Sequence, residues 1–202
     1  MEAMKENKES KTKTPINFLF VACLALAMLC AGVPQAIAAD DSKDVNKVEV
    51  RNNAASLLAD LFHEEKNLDK VLIIKHNSAA FGELIKSISK TAADGENKLE
   101  ELAKNDKTLN LHALELPPGE KATRAAISKT KEHEMLFSTG ETFRLNLLLS
   151  QTDALDYGSH LAKIAAENSS SPEQEKVFHE LDVALKNLFN RVVARIRALP
   201  AK

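Results

Sequence analysis

Beyond residue 40 of this 202-residue chain, apolar side chains recur three and four positions apart. That is the period of one helix face, not the alternation of a strand. The cleanest run is Phe81, Ile85, Ile88, Ala92, Gly95, Leu99 and Leu102, which predicts a helix whose seam faces one partner surface. A first helix is predicted from Asp44 to Lys75 on Val50, Ala54, Leu57, Leu61, Leu68 and Val71. His76-Asn77-Ser78 should end it, because Asn and Ser favour caps over helix interiors. Val71-Leu72-Ile73-Ile74 is the single strand-like patch, and its helical neighbours are expected to claim it.

The second helix should end near Asn105-Asp106, where a loop from Asn110 to Pro117-Pro118-Gly119 reverses the chain. A third helical region spans Glu120 to Glu167. As one rod it would measure roughly 70 Å at ~1.5 Å per residue, longer than its neighbours. A break is therefore expected near Ser138-Thr139-Gly140 or Ser150, with Ala126, His133, Phe137, Gly140, Phe143, Leu147 and Ala154 near one face. Ser171-Pro172-Glu173-Gln174 reads as a helix start: Ser as N-cap, Pro at the first position, Gln closing a capping box. The stripe Val177, Phe178, Leu181, Leu185, Leu188, Val192 and Ile196 comes next, with Arg191, Arg195 and Arg197 suited to the negative helix end. The pattern predicts an all-α domain, an up-down bundle of four main helices.

The first 39 residues have another pattern. Lys5, Lys8, Lys11 and Lys13 precede an apolar run from Ile16 to Ala31, and Ala36-Ile37-Ala38-Ala39 offers small residues for cleavage. This is the layout of a secretory signal peptide, and the run is short of the ~20 residues of a bilayer span. The chain is thus expected to be exported, to the periplasm, the cell envelope or the medium, as one domain over residues 40–202. Cys23 and Cys30 both fall in the leader, so the remainder carries no thiol. Lipid anchoring at either is disfavoured, since Leu29 before Cys30 is too large and cutting before Cys23 leaves a very short apolar region.

The leader holds 4 of the 27 basic and 3 of the 29 acidic residues, so the remaining chain is slightly acidic. With no Trp and one Tyr, nothing supports a basic, ring-bearing nucleic-acid surface or an aromatic carbohydrate platform. No anionic-membrane binder is indicated either.

Candidate chemistry is sparse. A metal site in a helical bundle calls for inward carboxylates and Glu-x-x-His steps, which place both groups on one face. The nearest approximations are Asp60 with His63, Asp156 with His160, and Glu175 with His179. His133 lies on the apolar stripe of the third region, either as a core-edge residue or as a ligand or pH-sensitive contact. Cys-x-x-Cys-His, phosphate-binding glycine turns and a Gly-x-Ser-x-Gly elbow are all absent from the sequence. Gly95 and Gly140 suggest close helix approach and a kink. Leu111 to Leu116 is apolar enough to fold back over the bundle end or to meet a partner.

Asp94-Gly95 with Leu102, the loop Leu116-Pro117-Pro118 and the segment Gly140-Glu141-Thr142-Phe143-Arg144 carry a resemblance over Leu68 to Arg195. The chain resembles the exported bacterial ferritin-like four-helix domain of unknown function, a family described as outer-membrane proteins. That family has a histidine where Gly95 stands and an aspartate where Arg144 stands. Its later histidines fall at Ala154 and near Asn187. The resemblance implies the scaffold and not an activity, since the family's histidines are the residues missing. The expectation is an exported, cofactor-free, non-enzymatic bundle that acts through a protein partner, through self-association, or structurally. The alternative is a ferritin-like metal or small-ligand binder using His63, His133, His160, His179, Asp60, Asp156 and Glu175.

Overall fold

The computed structural model describes residues 41–199 except 76, 77 and 115. The expected leader, with Cys23 and Cys30, lies outside the described residues. The described residues are helical and contain no strand: α1 is Asp41–Glu65, α2 Val71–Ile74, α3 Ala79–Asn105, α4 Pro118–Phe137, α5 Gly140–Glu167 and α6 Pro172–Arg197, with a 3-10 turn at Leu68–Lys70. None of these helices is long and apolar enough to cross a membrane.

Helices α1, α3, α6 and α5 form a closed ring in which each packs on the next, with α1 meeting α5. Polar contacts fix their directions. Near the start of α1, Arg51 reaches Thr108, just past the end of α3, and Ser170 and Gln174 at the α5–α6 turn. At the end of α1, the Lys66 carbonyl accepts from Ser89 early in α3, and Glu65 accepts from Gln151 early in α5. Helices α3 and α5 therefore both run opposite to α1. Lys98–Glu180, Arg191–Ser87 and Arg195–Ser78 contacts set α6 antiparallel to α3.

The strict up-down order is thus corrected to up, down, down, up. The reason lies in the third region, which breaks at Ser138-Thr139. Gly140 opens α5 with φ 58°, a left-handed conformation that costs glycine little. α4 carries the chain back along the outside of the ring. Of the stripe expected across this region, Phe143, Leu147 and Ala154 are buried, whereas Ala126, His133 and Phe137 on α4 are exposed. Once the break re-aims the chain, the two halves no longer share a face. α4 holds on through the buried Met135, an Arg124–Tyr157 hydrogen bond, and Lys75, whose ammonium donates to the carbonyls of Leu136 (2.8 Å) and Ser138 (2.9 Å).

The single helix expected over 44–75 is also corrected: α1 stops at Glu65 and a 3-10 turn intervenes. Ser89 of α3 compensates the break, donating to the Lys66 carbonyl at 2.6 Å and to Asp69 at 3.1 Å. The second helix keeps to its predicted seam, every member of which is buried. Gly95 and Gly158 mark close helix approaches. An added Cβ would lie 2.5 Å from the Phe62 ring at Gly95 and 2.7 Å from a Leu61 methyl at Gly158. The predicted cap is half realised. Ser171 Oγ accepts from the Gln174 amide at 3.2 Å, but the Gln174 carboxamide oxygen accepts from the Ser170 amide instead of closing the box on Ser171.

Candidate functional site

Among the described residues, two clusters of buried polar side chains join different elements of the ring. The first is structural. Arg51 is fully buried on α1, and its guanidinium donates to Ser170 Oγ (2.5 Å), Gln174 Oε1 (3.1 Å) and the Thr108 carbonyl (2.7 Å). Gln174 Nε2 in turn donates to Asp106 at 2.6 Å. Burial lowers the Arg51 pKa, and the charge of Asp106 opposes that fall. Asp106 sits below its usual carboxylate range, chiefly because the hydroxyl and amide of Thr108 both donate to it. The cluster joins α1, the loop after α3 and the α5–α6 turn at one end of the ring. The loop folds back there as expected: Leu109 is buried, Leu111 packs on the core, and Ser56 Oγ accepts from the Ala113 amide at 3.0 Å.

The second cluster is Glu65 of α1 with Gln151 of α5. Glu65 is 5 % exposed and Gln151 0 %. Gln151 Nε2 donates to Glu65 Oε2 at 3.1 Å, while Glu65 Oε1 and Gln151 Oε1 are buried without a partner. Beside them Leu61, Phe62, Ile88, Ala92, Ala154, Leu155 and Leu185 line a small apolar cavity, with room for about one water. Burial raises the Glu65 carboxyl to about 7, against the Gln151 hydrogen bond that favours ionisation, and neighbouring Glu64 pushes the same way as burial.

The histidines named from sequence do not converge. His63, His133, His160 and His179 are all exposed. His63 pairs with Glu96 at 2.8 Å, beside Lys66, which contacts the same carboxylate at 2.7 Å. Burial alone would raise Glu96, but the hydrogen bonds from Lys66 and His63 hold it below its usual value. His160 contacts the backbone carbonyl of Asp156 at 2.9 Å and its carboxylate at 3.7 Å. His133 packs against Phe137 with ring centroids 4.4 Å apart and planes tilted by 41°, on the outer helix and not at a core edge. Asp60, Asp156 and Glu175 are exposed. Among the described residues no three His, Cys, Asp or Glu side chains come together as a metal site.

Sequence reasoning missed Glu65, Gln151 and Arg51, although a signal was present. Ala54, Leu58, Leu61, Glu65 and Leu68 step by four and three, which puts the carboxylate on the buried face.

One end of the molecule shows the opposite anomaly. Ile73 is 81 % exposed, Phe137 73 % and Leu136 45 %. The Lys75 bonds to the end of α4 bring the α2 and α4 residues to the same end of the ring. No family model, curated protein or solved structure matches the chain.

Proposed function

We propose that this chain is an exported, cofactor-free helical-bundle protein of the cell envelope that works through protein contacts rather than catalysis. The observation that carries the reading is the apolar corner of Ile73, Leu136 and Phe137. Exposed apolar side chains gathered at one place, unlike those scattered singly over a surface, mark contact sites. Export rests on the leader pattern of residues 1–39. The ferritin-like scaffold is supported by the parallel course of α3 and α5 with α4 between them, because one long crossover is a feature of such bundles.

The test is a photo-crosslinking residue at position 137, with position 176 on the exposed face of α6 as control, in cells that export the protein. A discrete crosslinked species from 137 and none from 176 is expected. Equal or absent crosslinking at both would remove the corner from the proposal. Phe137→Ser should suppress crosslinking from position 136 while leaving the melting temperature within a few degrees, since the ring buries little.

The alternative is a ferritin-like metal or small-ligand binder; the same topology supports such a scaffold, while His63, His133, His160 and His179 do not converge.

A further inference from the structure

Glu65 and Gln151 present a problem in hydrogen bonding that one proton solves. Their planar groups already share the bond from Gln151 Nε2 to Glu65 Oε2. The two remaining oxygens, Glu65 Oε1 and Gln151 Oε1, are both acceptors when the acid is ionised, and both are buried with no partner. Two orphaned acceptors on already bonded groups are costly in a low-dielectric interior. A proton on Glu65 Oε1 turns one of them into a donor for the other. It closes a ring of two antiparallel hydrogen bonds between carboxylic acid and carboxamide.

We propose that Glu65 and Gln151 form such a cyclic acid–amide pair, a proton-dependent lock between α1 and α5 that is complete in acid and opens when the carboxyl ionises.

The surroundings favour this state from every side. α3 contributes Ile88 and Ala92 to the lining, α5 contributes Ala154 and Leu155 beside Gln151, and α6 contributes Leu185. None of these is charged. On α1, Glu64 adds negative charge next to Glu65, which disfavours a second anion. The nearby basic side chains are committed elsewhere. Lys66 and His63 contact Glu96 of α3, and Lys186 contacts Asp182, which lies one turn before Leu185 on α6. Asp69 accepts from Ser89. Among the described residues no cation therefore neutralises an ionised Glu65, and the neighbouring cavity is too small to hydrate it well.

These surroundings set the direction of the pH effect. The folded carboxyl holds its proton to about 7, whereas its ordinary value is 4.5. Between those values the folded state binds one more proton than the unfolded state, so stability falls as pH rises through the window and levels off above it.

Infrared titration of the purified full-length protein from pH 5 to 8.5 tests the lock. One protonated carboxylic carbonyl should persist at pH 6, fall to about half its intensity near pH 7, be gone by pH 8.5, and be missing from Glu65→Gln. The melting temperature of the native protein should fall by roughly 5–10 °C relative to Glu65→Gln between pH 5 and 8.5. In that variant an amide–amide pair retains both bonds without a titrating proton. Absence of a protonated carboxyl at pH 6 in the native protein would overturn the proposal, whether or not the variant folds. A band that persists in Glu65→Gln, or parallel melting profiles for the two proteins, would also overturn it.

Discussion

Arg51→Ala is expected to lower the unfolding free energy by about 4 kcal/mol. The side chain is fully buried, and removing it takes a charged donor from Ser170 Oγ, Gln174 Oε1 and the Thr108 carbonyl, empties the space it fills, and leaves Asp106 without its nearby positive charge. Each charged hydrogen bond contributes roughly 1.5–3 kcal/mol, and members of one network do not add. Arg51→Lys keeps the charge but not the planar fork that spans Thr108, Ser170 and Gln174, so it should recover less than half of the loss. Urea denaturation measures both. A loss under 1 kcal/mol for the alanine variant would mean that the network does not hold the end of the ring. Hydrogen exchange should rise first in the 106–112 loop and the α5–α6 turn.

The second large effect separates two glycines that look alike in sequence. Both Gly95 and Gly158 lie within helices, where alanine is intrinsically better by about 1 kcal/mol. At Gly95 the new Cβ would meet three atoms of the Phe62 ring, all closer than 3.0 Å. That ring is 1 % exposed and cannot swing away. Gly95→Ala should therefore cost about 2 kcal/mol net, with overpacking outweighing propensity. At Gly158 the nearest atom is a Leu61 methyl, the end of a side chain that can rotate, with Leu185 next at 3.3 Å. Gly158→Ala should stay within about 1 kcal/mol of the native protein. Combining Gly95→Ala with Phe62→Leu should recover part of the loss, and a double-mutant cycle measures the coupling. Equal costs at the two glycines would contradict the packing described.

Much of the helical pattern was legible because burial on a helix leaves a period. The α3 seam from Phe81 to Leu102 lies on the buried face throughout, and the α6 stripe from Phe178 to Val192 does too. The break before Gly140 could be anticipated, since one unbroken rod would have outrun its neighbours. What was not legible depends on tertiary choice. A stripe drawn through Ala126, His133, Phe137 and Phe143 presumes a straight helix. The turn at Ser138-Thr139 destroys that continuity and puts α4 outside the ring. The reversal of strict up-down order stems from the same break.

The polar interior was hidden for a different reason. A charged residue on an apolar face is ordinarily assigned to the face's edge, as a solvated end to the stripe. Glu65 and Arg51 are exceptions because partners distant in sequence, Gln151 and Gln174, meet them there. Those pairings span 86 and 123 positions, and no local pattern encodes them. The histidines illustrate the converse. Asp156 and His160 do share a helix face, as their spacing requires, but that face is the outer one.

Elemental analysis of protein purified from an exporting host, without chelator or affinity tag, tests the central claim of a cofactor-free bundle most directly. A folded, helical protein with well under a tenth of an equivalent of iron, zinc, copper or manganese is the expected result. Near-stoichiometric metal that survives dialysis would contradict the claim and return attention to the carboxylates and histidines of the ring.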